Sequence, residues 1–337
     1  MKKVLVTGGA GYIGSHTVVQ LHLQGYQPVV MDNLSNSERF IIDRLEEICG
    51  RSIPFYQLDC CEADSYKIIA EQEGEFEAVI HFAAFKAVGE SVNFPAKYYR
   101  NNIGSLASLI EHLAVLNTKK MVFSSSCTVY GQPERLPVTE TSPIQEAESP
   151  YGATKQIGEQ LINQSVEAQN YQSVILRYFN PIGAHHSGRI GELPKGVPNN
   201  LIPFITQTGI GKREQLSIFG NDYSTPDGTC IRDYIHVVDL ANAHIKAIEY
   251  MENHPETALD YFNVGTGKGN SVLEMVEAFN KATKLELNTL FAPRRTGDIE
   301  QIWAETSKAN QVLGWTAQKD IHTALADAWR WELALRD

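Results

Sequence analysis

The amino-acid sequence predicts an α/β protein, a doubly wound parallel sheet with a smaller C-terminal region. Short apolar runs at 4–7, 28–32, 55–59, 78–82, 120–124 and 173–178 alternate with helix-length segments. These runs are continuous rather than alternating, which suits parallel strands covered by helices on both faces. Strands spaced by helices build βαβ units. A glycine-rich turn joins the first run to the first helical segment, and an acid closes the second run.

The elements follow in order. The run 4–7 ends at glycines, and a helix is predicted over 15–24 with Gly25 as its stop. The next five runs repeat the pattern. After about residue 181 the texture changes. Gly, Pro and Asn become frequent over 185–203 and 220–228, which read as long loops of the kind that often carry function. Helical patterns return at 238–252, 271–283 and 323–335. No repeat, low-complexity tract or flexible linker separates the halves. The second half is therefore expected to cap the first, with the segment 232–252 packing back on it.

Composition excludes several classes. Lys plus Arg number 29 against 40 for Asp plus Glu, a net charge of −11 over 337 residues. A generally basic nucleic-acid binder is excluded. The chain reaches Thr7-Gly8-Gly9 after three apolar residues. A secretory leader needs about 7–15 apolar residues and a membrane span about 20, so neither is expected. The five cysteines (Cys49, Cys60, Cys61, Cys127, Cys230) are odd in number and lack metal-site spacing. They read as reduced thiols of a cytoplasmic protein, with no metal.

The glycine turn carries the first chemical signal. Residues 9–14 spell G-x-G-x-x-G, and Gly8, Gly11 and Gly14 are spaced by three. One glycine permits the tight turn, one lets the backbone approach a pyrophosphate, and one lets helix and strand pack closely. The helix N-terminus then offers free N–H groups to the phosphates. Asp32 ends the second strand 23 residues after Gly9, near the spacing expected for a ribose-binding acid. A carboxylate there accepts from a ribose diol and repels a 2′-phosphate, so NAD is expected rather than NADP. Asp59 is placed to bond an adenine amine. The small residues after His81-Phe82 (Ala83, Ala84) let a ribose or pyrophosphate lie close. The fold class is thus a Rossmann sheet, with 1–180 as the NAD-binding domain and 181–337 as the substrate region.

The second signal is Ser149-Pro150-Tyr151-Gly152-Ala153-Thr154-Lys155. Ser149 suits an N-cap and Pro150 the first helical position. Tyr151 and Lys155, four apart, share one helix face. A free tyrosine, with a pKa near ~10, is a poor base at neutral pH. A neighbouring ammonium and the positive ring of a bound nicotinamide both favour its phenolate, so Lys155 and the cofactor together are expected to lower that value. Ser124, Ser125 and Ser126 follow a strand, where doubly wound sheets place ligands. A hydroxyl there can relay a substrate proton to Tyr151, while others cap the strand end.

With these motifs in place the sequence resembles the extended short-chain dehydrogenase/reductase family. Within it, the sequence is similar to the branch that epimerises UDP-glucose and UDP-galactose at C4. The matching segments are 7–16, 83–92, 124–131, 150–155, 177–184, 196–201, 219–222, 232–236 and 292–298. The resemblance implies NAD as cofactor, a UDP-sugar as substrate and a homodimer. It implies that Gly8, Gly11, Tyr12, Ile13, Gly14, Asp32, Asn33, Leu34, Ser35, Asn36 and Ser37 contact NAD. It implies the same for Asp59, Cys60, Phe82, Ala83, Ala84, Phe85, Lys86, Asn101 and Phe179. Ser126, Tyr151 and Lys155 match a catalytic trio that also touches the cofactor, and Ser126 and Tyr151 touch the substrate. Asn180, Asn200, Leu216, Ser217, Ile218, Arg232, Arg295 and Asp298 match positions that hold the UDP-sugar. The two arginines suit a pyrophosphate chemically. Ile302 falls where the family places a gate beside the sugar 2-position. A residue smaller than tyrosine there implies that N-acetylated sugars are accepted.

Two rival activities are weighed. A nucleotide-sugar 4,6-dehydratase places an Asp-Glu pair after the strand-end serine or threonine, where this chain has Cys127-Thr128. A catalytically silent NAD sensor has no need of Tyr151 and Lys155. Other features are discounted. His185-His186 reads as a pair of solvent-exposed loop histidines. The run Gly265-Thr266-Gly267-Lys268-Gly269 reads as a turn before a helix started by Ser271, because it lacks the phosphate-loop order. Trp329 and Trp331 read as packing residues.

Overall fold

The computed structural model describes residues 1–295 and 298–336. Its strands are β1 (Lys3–Thr7), β2 (Gln27–Met31), β3 (Phe55–Tyr56), β4 (Ala78–His81), β5 (Lys120–Ser126), β6 (Gln172–Tyr178) and β7 (Asn180–Ile182). They continue as β8 (Leu216–Phe219), β9 (Ile231–His236), β10 (Leu259–Val264), β11 (Gly269–Ser271), β12 (Thr289–Ala292) and β13 (Gln301–Ile302). Seven form one parallel sheet in the order β10-β6-β5-β4-β1-β2-β3. All six runs read as strands from the sequence are in it.

The chain order reverses at β1, which β2 and β4 flank, so the cleft outside their carboxyl ends is the natural ligand site. Two apolar layers cover the sheet. One face packs Val4, Val6, Val30, Ile80 and Val122 under the helices Tyr12–Leu23 and Val237–Asn253. The other packs Leu5, Val29, Val79, Met121 and Phe123 with Leu106, Leu109 and Ile162 from the helices Gly104–His112 and Pro150–Ser165. The alternation of side chains along each strand divides these two sets.

The second half of the chain does not stay apart. The helix Val237–Asn253 packs against Tyr12–Leu23, and β10 pairs with β6 at the sheet edge. What remains builds a smaller body with its own core around Ile205, Tyr234, Met275, Phe279 and Leu325. There β9 pairs with β11, β13 and β7, and β8 pairs with β12. Among the described residues, no helix is long and apolar enough to cross a membrane. All five cysteines are free thiols.

Local signals act as read. Gly25 (φ 82°) follows the helix that ends at Leu23. Ser149 caps Pro150–Ser165 through the Gly152 N–H, at 3.1 Å. Ser271 and Glu274 form a reciprocal cap on the helix Val272–Thr283. Trp331 is buried, and the Trp329 ring meets Phe279 edge-on.

Candidate active site

A cleft of about 560 Å³ opens at the carboxyl ends of β1, β2 and β4. Its floor is the glycine turn. Gly8 has φ 71°, and a Cβ there would stand 2.9 Å from the Ala83 nitrogen. A Cβ on Gly14 would stand 2.2 Å from the Gly8 carbonyl oxygen. Neither position accepts a side chain without backbone movement, so the turn keeps a bare, close-packed backbone against the cleft. That cradle, at the start of a helix, fits a dinucleotide pyrophosphate.

Asp32 closes the cradle. Its carboxylate accepts from the Ala10 N–H (3.1 Å), the Leu34 N–H (2.9 Å) and the Ser37 hydroxyl (2.8 Å). These bonds fix one acid at the end of β2, where a ribose diol can share it. Asp59 accepts from the Cys61 N–H (2.8 Å) and from Asn33 (2.9 Å). Burial pushes its pKa up, but the two donors outweigh that and hold it below the usual carboxylate value. Gly8, Gly11, Tyr12, Ile13, Gly14, Asp32, Asn33, Ser35, Asn36, Ser37, Asp59, Cys60, Phe82, Ala83, Ala84, Phe85, Lys86 and Asn101 all line this one cleft, as do Tyr151, Lys155 and Asn200.

Tyr151 and Lys155 are buried on the inner face of their helix. The Lys155 ammonium donates to the Ser124 carbonyl at 2.7 Å and lies 5.9 Å from the Tyr151 ring centre. Burial lowers its pKa to about 8, and the carboxylate of Glu159 opposes that shift. Lys155 alone does not bring the Tyr151 phenol down. Burial pushes its pKa well up, Tyr178 adds to the effect, and a hydrogen bond with Ser126 opposes it. The ammonium is engaged on the strand carbonyl, so the protein's own groups leave Tyr151 a neutral phenol. A phenolate here needs further positive charge.

The three serines divide their work. Ser124 donates to the Tyr178 hydroxyl at 2.9 Å, and Ser125 donates to Glu159. Ser126 caps the turn Cys127–Tyr130 by accepting from the Thr128 N–H. His81, at the end of β4, bonds Thr7 at 2.8 Å, and burial holds its pKa near 3, so the ring stays neutral.

Several lining residues escaped the sequence reading. Glu192 accepts from Lys86 (2.9 Å) and from Asn200 (2.5 Å), joining the two halves across the cleft. Lys195 donates to the Leu34 carbonyl at 3.0 Å. Tyr98, Tyr178 and Asn199 also line the cleft. The Gly-, Pro- and Asn-rich texture of 185–203 marks that loop but not which of its side chains turn inward.

The remaining substrate-side positions lie beyond the cleft lining. Asn180 is on β7, Arg232 on β9 and Ile302 on β13, while Leu216, Ser217 and Ile218 are on β8. Arg232 donates to the Ile231 carbonyl at 2.9 Å. Arg295 forks onto Asp298, with Nη2 at 2.6 Å and Nε at 3.1 Å. Ser217 is exposed between buried Leu216 and Ile218. Phe179 and Ile302 are buried in one small cluster with Cys127, Val129, Tyr130, Val138 and Ala304. Thr296 and Gly297, in the run matched over 292–298, lie outside the described residues.

Asp233 is fully buried and accepts from Thr266 (N–H 2.8 Å, hydroxyl 2.6 Å), Gly267 (3.1 Å) and Ala304 (3.2 Å). The run 265–269 is thus a turn fastened to a carboxylate. His185 corrects the sequence reading. It is buried, bonds the Ser187 hydroxyl at 2.7 Å and packs its ring 4.2 Å from His186, which is exposed as expected.

Comparison with known proteins places the chain. A family model described as GDP-mannose 4,6 dehydratase matches residues 5–328. A UDP-glucose 4-epimerase of Bacillus subtilis is 53% identical over 330 residues, covering 98% of this chain and 96% of the relative. A UDP-glucose-4-epimerase from Stenotrophomonas maltophila, solved with NAD and formylated UDP-arabinopyranose, superposes with a TM-score of 0.95. It is 41% identical and covers 100% of this chain and 99% of its own. The enzyme from Bifidobacterium longum, solved with NAD+ and UDP, gives 0.93 at 41% identity, covering 99% and 98%.

Proposed function

The chain belongs to the family of UDP-glucose 4-epimerases, and we propose that it interconverts UDP-galactose and UDP-glucose by oxidation and reduction at sugar C4. One observation carries this reading. A single cleft holds the glycine turn, the ribose acid Asp32 and the pair Tyr151–Lys155. NAD, when bound, supplies the hydride acceptor and donor at C4.

The chain's residues do the rest. The bare turn at Gly8, Gly11 and Gly14, with Tyr12 and Ile13, takes the pyrophosphate. Asp32 and the stretch to Ser37 take the adenine ribose, and Asp59 and Cys60 the adenine. Phe82 to Lys86, Asn101 and Phe179 hold the remaining half. Tyr151 accepts the proton of the sugar 4-hydroxyl, directly or through Ser126, and returns it in the reverse step. Its neutral resting state is consistent with a base that becomes competent only once positive charge sits beside it. Lys155, its pKa lowered to about 8 by burial, adds positive charge when protonated. Inversion needs the oxidised sugar to present its other face. Arg232, Arg295, Asn180 and Asn200 would keep hold of the UDP while the sugar turns, with Leu216, Ser217, Ile218 and Asp298 on the uridine side. In this reading 1–180 is the NAD-binding domain and 181–337 the substrate region.

The dehydratase reading fails on the residues after Ser126. Cys127 is buried and its thiol is pushed up to about 12, and Thr128 carries no carboxyl group. Neither can supply the acid–base pair that elimination of water needs. We extend the proposal to a cytoplasmic protein, in keeping with five free thiols, and to a homodimer, which the family resemblance implies. The test is to give the purified protein UDP-galactose without added NAD. UDP-glucose is the expected product. A 4-keto-6-deoxy product would establish the dehydratase instead, and no turnover of any UDP-sugar would leave the sensor.

A further inference from the structure

Behind Tyr151 and Lys155 the same helix face continues to Glu159, a buried carboxylate that the reaction as described does not use. Arg177 of β6 forks onto it, with Nη2 at 2.7 Å from Oε2 and Nε at 3.0 Å from Oε1. Ser125 of β5 donates to the same carboxylate. Ser125 and Arg177 are register partners, so Glu159 straddles two adjacent strands. One turn earlier, Lys155 donates to the carbonyl of Ser124. Two successive strand residues therefore receive two side chains from one helix face. The next strand residue is Ser126, and Tyr151 stands one turn before Lys155.

We propose that Glu159 is a positioning residue of the reaction. Pinned by Arg177 and Ser125, it sets the helix that carries Tyr151 and Lys155 against the strand end that carries Ser126. This rests on the epimerase reading above. A buried ion pair is weak evidence of stabilisation, because desolvating two charges offsets their attraction. Its gain here is register. A slide of the helix along β5 would move the base and its relay apart, and misplacement of about 1 Å can cost on the order of 10²-fold in rate.

The charge matters as well as the geometry. Glu159 faces Arg177 on β6, Ser125 on β5 and Tyr261 on β10, with Lys155 on its own helix, and Arg177 in turn meets Tyr130 in the turn after β5. Glu140 sends its carbonyl to Arg177, and its carboxylate accepts from the Asn263 N–H. Lys155 also faces neutral His81 of β4. Removing the Glu159 charge leaves Arg177 unpaired and takes an anion from Lys155. Both changes disfavour the ammonium, and with it the phenolate.

The test uses the full-length protein with its cofactor and two variants, Glu159→Gln and Ser125→Ala. Glu159→Gln is expected to lower kcat by about 10–100-fold at unchanged KM for UDP-galactose. The ultraviolet difference titration of the Tyr151 phenolate, taken against Tyr151→Phe, should move to higher pH. Ser125→Ala keeps the ion pair and removes one tether, so it should lower kcat less, again at unchanged KM. If Glu159→Gln does not fold, Ser125→Ala decides alone. A variant that is less stable yet keeps kcat and the phenolate titration would overturn the proposal, because the network would then be structural. So would a rise in KM at constant kcat. An inactive parent protein would instead remove the epimerase reading, and the phenolate titration would still report on the register.

Discussion

The two sides of the proposed site are built differently. The side that takes the dinucleotide is made at strand ends of one parallel sheet. Its residues are near neighbours in sequence, and its acids already hold fixed donors. The positions proposed for the substrate lie on β7, β8, β9 and β13 and at Arg295 and Asp298, and the two arginines are occupied by the protein's own groups. The first side is pre-formed. The second must exchange internal contacts for those of a ligand. That asymmetry suits a tightly held NAD beside a UDP-sugar that comes and goes.

The largest break in the comparison comes where the two sides meet. Tyr151→Phe should lower kcat by roughly 10²–10⁴-fold, the usual worth of general acid–base catalysis. Bound NAD, released by denaturation and measured by absorbance, should be unchanged. A loss below tenfold would sink the assignment of Tyr151.

Acid should destabilise the fold through buried imidazoles at the sheet. His16, His81 and His244 are buried there, with pKa values lowered by burial to about 3, 3 and 4. A folded-state pKa below the unfolded value of 6.5 means that the unfolded chain binds the extra proton. Their contribution is complete above pH 6.5 and is lost as pH falls towards 4 and 3. Near pH 5 the three together predict a slope of about 4 kcal/mol per pH unit. Urea midpoints measured between pH 7 and 5 should fall accordingly, and a flat profile would show that the rings are protonated in the folded protein.

A pre-formed cradle should also be intolerant. Gly14→Ala forces a Cβ to 2.2 Å from a backbone oxygen. It should cost about 1–3 kcal/mol in overpacking and release NAD on dialysis. Unchanged cofactor content would mean that the turn yields.

How much of each side was legible follows from the same contrast. The turn, Asp32 and the Tyr151–Lys155 spacing are local patterns, and a parallel sheet brings strand ends together whatever the loops do. β10 was not read as a strand because it is an edge strand whose first three residues are half-exposed, which breaks the apolar run. β3 pairs over Phe55–Tyr56 alone, because Asp59 is drawn into a turn by the Cys61 N–H. Glu192 and Lys195 were illegible because their partners Lys86 and Leu34 lie more than a hundred residues away. His185 is buried although it lies in a polar loop, because a short-range bond to Ser187 holds its ring inward.

On the substrate side the effects should be smaller and confined to binding. Arg295→Ala removes an exposed guanidinium that must leave Asp298 to reach a ligand. It should raise KM for UDP-galactose about tenfold, within the range for one hydrogen bond to a charged group, at little change in kcat. A drop in kcat at constant KM would show that Arg295 acts on the transition state instead.

The smallest expected effect concerns Ile302. The family pattern places a gate here, beside the sugar 2-position, and a bulky residue would exclude an N-acetyl group. A packing role is the other reading, and the side chain is buried. Ile302 is 1% exposed and packs with Phe179, Cys127, Val129 and Ala304. Its strand pairs with β9 at Arg232, so its backbone helps to seat that arginine. The two readings separate in one variant. Ile302→Tyr adds bulk to a packed cluster and should cost about 1–3 kcal/mol of stability, read as a lower thermal midpoint. If the residue only packs, activity towards UDP-galactose and UDP-N-acetylgalactosamine should fall together and their ratio should hold. If it gates, the N-acetyl activity should fall alone while the midpoint stays. The burial favours the first outcome, which would move the choice of sugar from β13 to the residues that line the cleft.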